Sequence, residues 1–153
     1  MNKITAHELS TALHELGQIL GGTFTLDEEG SCLLTYRDSL PILIQFVEED
    51  GRVVFASELK AGLENASDSE WLKLLSIDWL GIRASGCALS PDKAAGCVVI
   101  WRDFNANPVN GQAFAESLDS FIEEVIAVRE FVENPSFESS GSLDDSHLLA
   151  SRA

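Results

Sequence analysis

Positive charge is what this 153-residue chain has least of: ten Lys and Arg stand against 25 Asp and Glu, a formal charge of -15. Such a surface repels a phosphate backbone, and duplex binding needs clustered Lys and Arg to displace counterions, so nucleic acid is excluded as a partner. The same sign argument disfavours an anionic membrane surface. Long apolar runs are missing too. The longest stretches free of charge and histidine are Leu16 to Leu26, eleven residues, and Phe104 to Ala115, twelve. Neither is long enough to cross about 30 Å of hydrocarbon as a helix, so no membrane insertion is expected. Met1-Asn2-Lys3-Ile4-Thr5 leads directly into a pattern containing His7, Glu8, His14 and Glu15, without the apolar core of a signal peptide. A cytoplasmic location follows, in which the three cysteines, Cys32, Cys87 and Cys97, stay reduced.

Motifs for chemistry are equally scarce. The glycines at 17, 21 and 22 match neither the dinucleotide nor the phosphate-loop pattern. His7 and His14 lie seven apart on one helical face, each beside a glutamate, but His-Glu-x-x-His is absent, and the expectation is a solvated polar face with no metal. Cys87 and Cys97 flank Pro91 and would face each other across a hairpin, most simply as small buried hydrophobes. No Gly-x-Ser-x-Gly occurs, and no cysteine sits in a motif that places it beside histidine. With 25 acids, close carboxylate pairs arise by chance; Glu48-Glu49-Asp50 reads as a hairpin tip. No catalytic residue and no cofactor site emerge, so function must reside in surfaces.

What the chain has is clear patterning. Mean hydropathy is +0.07 and 45% of residues are hydrophobic, enough for one core in a single domain. Thr5 with Glu8 forms a capping box, and Leu9, Ala12, Leu13, Leu16, Ile19 and Leu20 recur at helical spacing until Gly21-Gly22. Between 23 and 60 the period becomes two, which predicts strands at Thr23 to Leu26, Cys32 to Tyr36, Leu40 to Val47 and Arg52 to Glu58. Asp50-Gly51 marks a hairpin between the last two. Ser67 with Glu70 opens a short helix through Trp71, Leu72, Leu75 and Trp79 to Gly81. Apolar positions go most of the way round this helix, so one sheet cannot cover it and a second partner is needed. Ile82 to Leu89 and Gly96 to Asp103 read as two strands around a turn at Ser90 to Lys93. A long helix then runs from about Asn110 to Glu133, apolar at Phe114, Leu118, Phe121, Ile122, Val125, Val128 and Val132 and acidic on its other side. Residues 134–153, holding six serines and little apolar content, read as a flexible tail.

The order of elements, the size and the acidity resemble the dimeric class I chaperones of bacterial type III secretion, the Tir-chaperone-like family. The resemblance spans residues 4 to 133. It is carried most by Leu72-Lys73-Leu74-Leu75, Trp79-Leu80-Gly81, Gly86-Cys87-Ala88-Leu89-Ser90-Pro91-Asp92, Cys97-Val98-Val99-Ile100-Trp101 and Phe114 to Val125. It implies an α+β fold, an antiparallel twisted sheet of about five strands with three helices in the order α-β-β-β-α-β-β-α, and a homodimer. It also implies a non-enzymatic, ATP-independent binder in the bacterial cytoplasm. Such a binder holds the N-terminal segment of a secreted effector in extended form and delivers it to the secretion ATPase or export apparatus. A regulatory adaptor that sequesters a secretion or transcription control protein is the alternative within the same fold.

By position, Trp71, Leu72, Leu75 and Trp79 correspond to the dimer contact. For cargo, strand alternation sets Leu33 apart from Cys32 and Leu34, and Leu43 and Val47 apart from Ile42, Ile44 and Phe46. One set packs under helices; the other, Leu33, Leu43 and Val47 continued by Val54 and Ala56, is unusually apolar for a solvent face and marks the candidate effector surface. Residues 1–133 carry nine basic and 22 acidic side chains, net -13, and the tail contributes -2, so the folded part itself is acidic. That charge reads as a solubility device for a protein with exposed apolar surface.

Overall fold

The computed structural model describes residues 3–76, 86–105 and 107–133. Helix α1 (Ala6–Leu20) starts at the capping box: Thr5 Oγ1 accepts the Glu8 N–H at 3.2 Å, and Glu8 Oε2 accepts the Thr5 N–H at 2.8 Å. It stops at Gly21, whose φ of 77° is left-handed and costs glycine nothing. Leu9, Ala12, Leu13 and Leu16 are fully buried, whereas the last turn overhangs the core and leaves Ile19 50% and Leu20 52% exposed.

Three strands follow, β1 (Ser31–Tyr36), β2 (Leu40–Val47) and β3 (Arg52–Lys60), then α2 (Asp68–Leu75), β4 (Ala88–Asp92), β5 (Cys97–Asp103) and α3 (Gly111–Glu133). The sheet is antiparallel throughout in the order β1-β2-β3-β5-β4, so β5 inserts between β3 and its own hairpin partner. The α-β-β-β-α-β-β-α order is the expected one.

Three local expectations change, and a fourth falls outside the described residues. Residues 23–26 are not a strand; a backbone hydrogen bond from Thr25 goes to the Cys32 sulfur, and Asp27 caps a turn by accepting the N–H groups of Glu29 and Ser31. Ser90, Pro91 and Asp92 lie inside β4 rather than in a turn. β4 is an edge strand, where a residue without an N–H is tolerated, and the reversal falls at 93–96, with Gly96 at φ +64°. Cys97 stands opposite Asp92 while Ala88 stands opposite Trp101, so Cys87 and Cys97 occupy opposite ends of the hairpin and do not face each other. The second helix is described from Asp68 to Leu75; its expected continuation to Leu80, and the start of the following strand at Ile82, lie outside the described residues.

The core lies on one face of the sheet. Ile42, Ile44, Phe46, Val53, Phe55, Val98 and Ile100 point into it and meet the buried stripes of α1 and α3. Phe55 sits at the centre, with its ring centroid 5.2 Å from Phe114 edge-on, 5.8 Å from Phe104 and 5.9 Å from Phe121. Aromatic pairs of this kind add about 0.5–1.5 kcal/mol each beyond area burial. The helices are tied where α3 begins: Asn110 Oδ1 accepts the Ala113 N–H at 2.8 Å, and Glu15 of α1 accepts the Gly111 N–H at 2.6 Å. A carboxylate at a helix N-terminus opposes the positive end of its dipole.

That contact requires glycine, because a Cβ at position 111 would collide with the Glu15 side chain and lie 2.9 Å from its backbone carbonyl carbon. Gly111→Ala should therefore push α1 and α3 apart and cost about 1–3 kcal/mol, read from the urea unfolding midpoint. A cost below about 0.5 kcal/mol would show that the helices approach less closely than described.

Candidate functional site

Strand alternation that fills one face of the sheet with core residues leaves the other face with its own set, and the registers align that set into rows. One row crosses all five strands: Leu33 opposite Leu43, Leu43 opposite Ala56, Ala56 opposite Trp101, and Trp101 opposite Ala88. Neighbouring strands lie about 4.8 Å apart, so this apolar line is about 19 Å long. Leu33 is 66% exposed and the other four are half-buried. Among the described residues no helix covers this face, since the buried side chains of α1, α2 and α3 all join the core on the opposite side.

The row is framed by fixed polar groups. On one side Ser31 donates to Gln45 Oε1, the Gln45 amide donates to the Glu29 carbonyl at 2.9 Å, and Arg52 reaches Asp103 at 3.4 Å. Val54 lies between Gln45 and Asp103 in this second row, and Val47 is opposite Arg52 at its end. On the other side Trp101 Nε1 donates to Ser90 Oγ at 2.9 Å, which holds the indole across the edge of the sheet. Apolar side chains locked by such a frame present a preformed surface, so a bound chain orders only itself.

Leu33, Leu43, Val47 and Val54, nominated from alternation, all fall on this open face. Trp101 and Ala88 complete the row and were not nominated for it. The signal was present as the alternation of Val99 and Trp101 with Val98 and Ile100, but its use required knowing that β5 pairs with β3. Of the four residues assigned to a dimer contact, Trp71 turns into the protein's own core at 6% exposure, Leu75 is half-buried, and Leu72 stands out at 68%; Trp79 lies outside the described residues. The sheet also has two edges, β1 and β4.

Elsewhere the chemistry is sparse. A groove of about 640 Å³ runs between α1 and residues 21–26, lined by His14, Gln18, Phe24 and Leu26 among others. His7 and His14 are solvent-exposed, and no group of three metal-ligating side chains occurs among the described residues. No described helix is long and apolar enough to cross a membrane. All three cysteines are free and buried; burial pushes the thiols of Cys32 and Cys97 up, and nearby carboxylates push the same way.

Residues 11–129 match the model of the Tir chaperone protein (CesT) family. Solved structures similar to this chain include a chain of the ExsC-ExsE complex, at 16% identity and TM-score 0.68 over 83% of this chain and 95% of that one. A chain of the HopA1-SchA chaperone-effector complex gives 15% and 0.65 over 83% and 98%. A chain of the Yersinia pestis type III secretion chaperone SycH in complex with a stable fragment of YscM2 gives 17% and 0.55 over 78% and 98%. At these identities the likeness is one of fold. No curated protein matches in sequence.

All three cysteines are buried, and burial also pushes the Cys32 and Cys97 thiols up, so the cysteines should resist a maleimide at neutral pH in the native protein and react only on unfolding. Rapid stoichiometric labelling of one of them in the native state, followed by mass spectrometry, would contradict this burial.

Proposed function

The chain belongs to the Tir chaperone protein (CesT) family, and from that premise we propose that it is a type III secretion chaperone. In this reading it is a non-enzymatic protein of the bacterial cytoplasm that holds the N-terminal segment of a secreted effector in extended form until export. The observation that carries the reading is the open apolar row from Leu33 to Ala88, which lies on a face without a helical cover among the described residues and is framed by ordered polar groups. An exposed apolar surface of that extent in an acidic protein is a seat for another chain's apolar side chains. The unpaired edge of β1 lies beside Leu33 and offers a ladder to an extended segment. Nothing in this role needs a nucleophile, a metal or a nucleotide.

The working unit in this reading is a homodimer built on the outer side of α2, with Leu72 at its centre and Leu75 and Trp79 beside it. Residues 1–133 form the chaperone domain, and handover to the secretion ATPase or export apparatus follows binding.

Tagged protein isolated from bacteria actively secreting through a type III system should elute as a dimer with a secreted protein bound. Leu43→Asp in the row and Val54→Asp in the row beside it place a charge on the open face without entering the core, and each should weaken that capture about 10- to 100-fold, since an unpaired charge buried by cargo costs a few kcal/mol. Glu123→Gln, on the exposed side of α3, should leave it unchanged. Undiminished capture by both variants, or a monomer that retains no secreted protein, would overturn the reading.

A further inference from the structure

The open row is uneven in height. Leu43 and Trp101 stand on either side of Ala56, two strand spacings or about 10 Å apart, and Val54 and Glu58 precede and follow it on the same face of β3, each about 7 Å along the strand. A methyl group thus forms the floor of a seat with taller side chains all round it. The indole wall is held in place, because its Nε1–H is donated to Ser90 Oγ at 2.9 Å. With that edge committed, what Trp101 offers a visitor is its ring, and indole is the best aromatic surface for a cation.

Charge at the seat is of one sign. Glu58 is exposed and makes no ion pair among the described residues, whereas Arg52 and Asp103, the nearest charges on the Val54 side, meet each other at 3.4 Å. Lys60 comes after the register shift that follows Glu58 and stands opposite Val98, outside this row. The Cys97 thiol, on the neighbouring strand, is pushed up by burial and then by the carboxylates of Glu58, Asp92 and Glu64, so the field on this border is negative. Net charge acts on every approaching chain alike; Glu58 acts at one position.

We propose that the seat over Ala56 takes one arginine side chain of the secreted segment, with its methylene stem against Leu43 and Val54 and its guanidinium on the Trp101 indole and paired with Glu58. This rests on the reading of the open face as a cargo surface and adds a sequence requirement to it. Arginine uses every wall: the stem covers apolar surface, and the planar head stacks on an aromatic ring and forks toward a carboxylate. Lysine fits less well, since its compact ammonium is more strongly hydrated and does not stack. A leucine or phenylalanine would strip water from Glu58 and give it no partner. An acid would meet like charge. The seat therefore discriminates among segments that the rest of the row treats alike.

The test uses the full chain and a synthetic peptide, acetyl-Leu-Ser-Arg-Ser-Leu-amide, whose alternate side chains repeat at about 7 Å when extended. In an NMR titration the Ala56 methyl and the Trp101 indole N–H should shift, while the methyls of Leu9 and Leu13 stay in place. Citrulline in place of the peptide's arginine keeps the shape and removes the charge, and should weaken binding about fivefold. Glu58→Gln should weaken the arginine peptide by a similar factor and leave the citrulline peptide unchanged, the signature of a direct coupling. Ala56→Leu fills the seat and should abolish the preference for arginine, although it makes the face more apolar; Ser90→Ala, which frees the indole, should reduce that preference. No shift at Ala56 and Trp101, equal affinity for the two peptides, or a leucine peptide that binds as tightly as the arginine one would each overturn the arginine seat. Any of these leaves the chaperone reading intact if Leu43→Asp still loses captured secreted protein; loss of that reading shows instead as undiminished capture.

Discussion

The structure turns on a mismatch between a sheet with two apolar faces and helices arranged to cover one of them. Alternation in β2 sets Ile42, Ile44 and Phe46 against the helices and Leu43 and Val47 away from them. The first set is buried at 0–8% exposure and supplies the folding energy, together with Phe55 and its ring of aromatic neighbours. The second contributes little to the isolated domain. Its apolar character makes sense as surface reserved for something else.

That division constrains the rest of the fold. Because one layer of helices must close the core alone, α1 and α3 pack closely, to the point that α3 begins at a glycine under a carboxylate of α1. The outer side of α3 carries Glu116, Asp119, Glu123, Glu130 and Glu133 exposed, beside the exposed apolar side chains of Ile126 and Phe131. A body of net charge -13 keeps molecules that display apolar rows apart in solution. Acidity is thus tied to the open face as a counterweight and says little about which ligand binds.

Much of this was legible in the sequence wherever a local rule had no competitor. Both capping boxes placed their helices because the Thr5–Glu8 and Ser67–Glu70 bonds are made within four residues. The two faces of β2 followed from its unbroken alternation. The failures came where a distant partner decides. Residues 23–26 alternate like a strand, but their backbone is engaged by the Cys32 sulfur and the Asp27 turn, and no ladder forms. Ser90-Pro91-Asp92 reads as a turn until the edge position of β4 removes the need for a proline N–H. Trp101 joins the open row through the pairing of β5 with β3, a contact between residues 45 apart at Ala56 and Trp101 that no local pattern encodes. Trp71, assigned to the dimer contact by position in the family resemblance, packs inward, leaving Leu72 as the exposed large apolar side chain among the described residues of α2.

The division of the sheet into a closed and an open face is tested most directly by adjacent residues of one strand. Unfolding free energies of Leu43→Asp and Ile44→Asp, measured by urea denaturation, should differ sharply. The account predicts a cost of at least about 4 kcal/mol, or failure to fold, for Ile44→Asp, because it buries an unpaired charge in the core. For Leu43→Asp it predicts about 1 kcal/mol or less, as for a surface change. Equal costs at the two positions would show that both faces are buried in the isolated protein and would contradict the account.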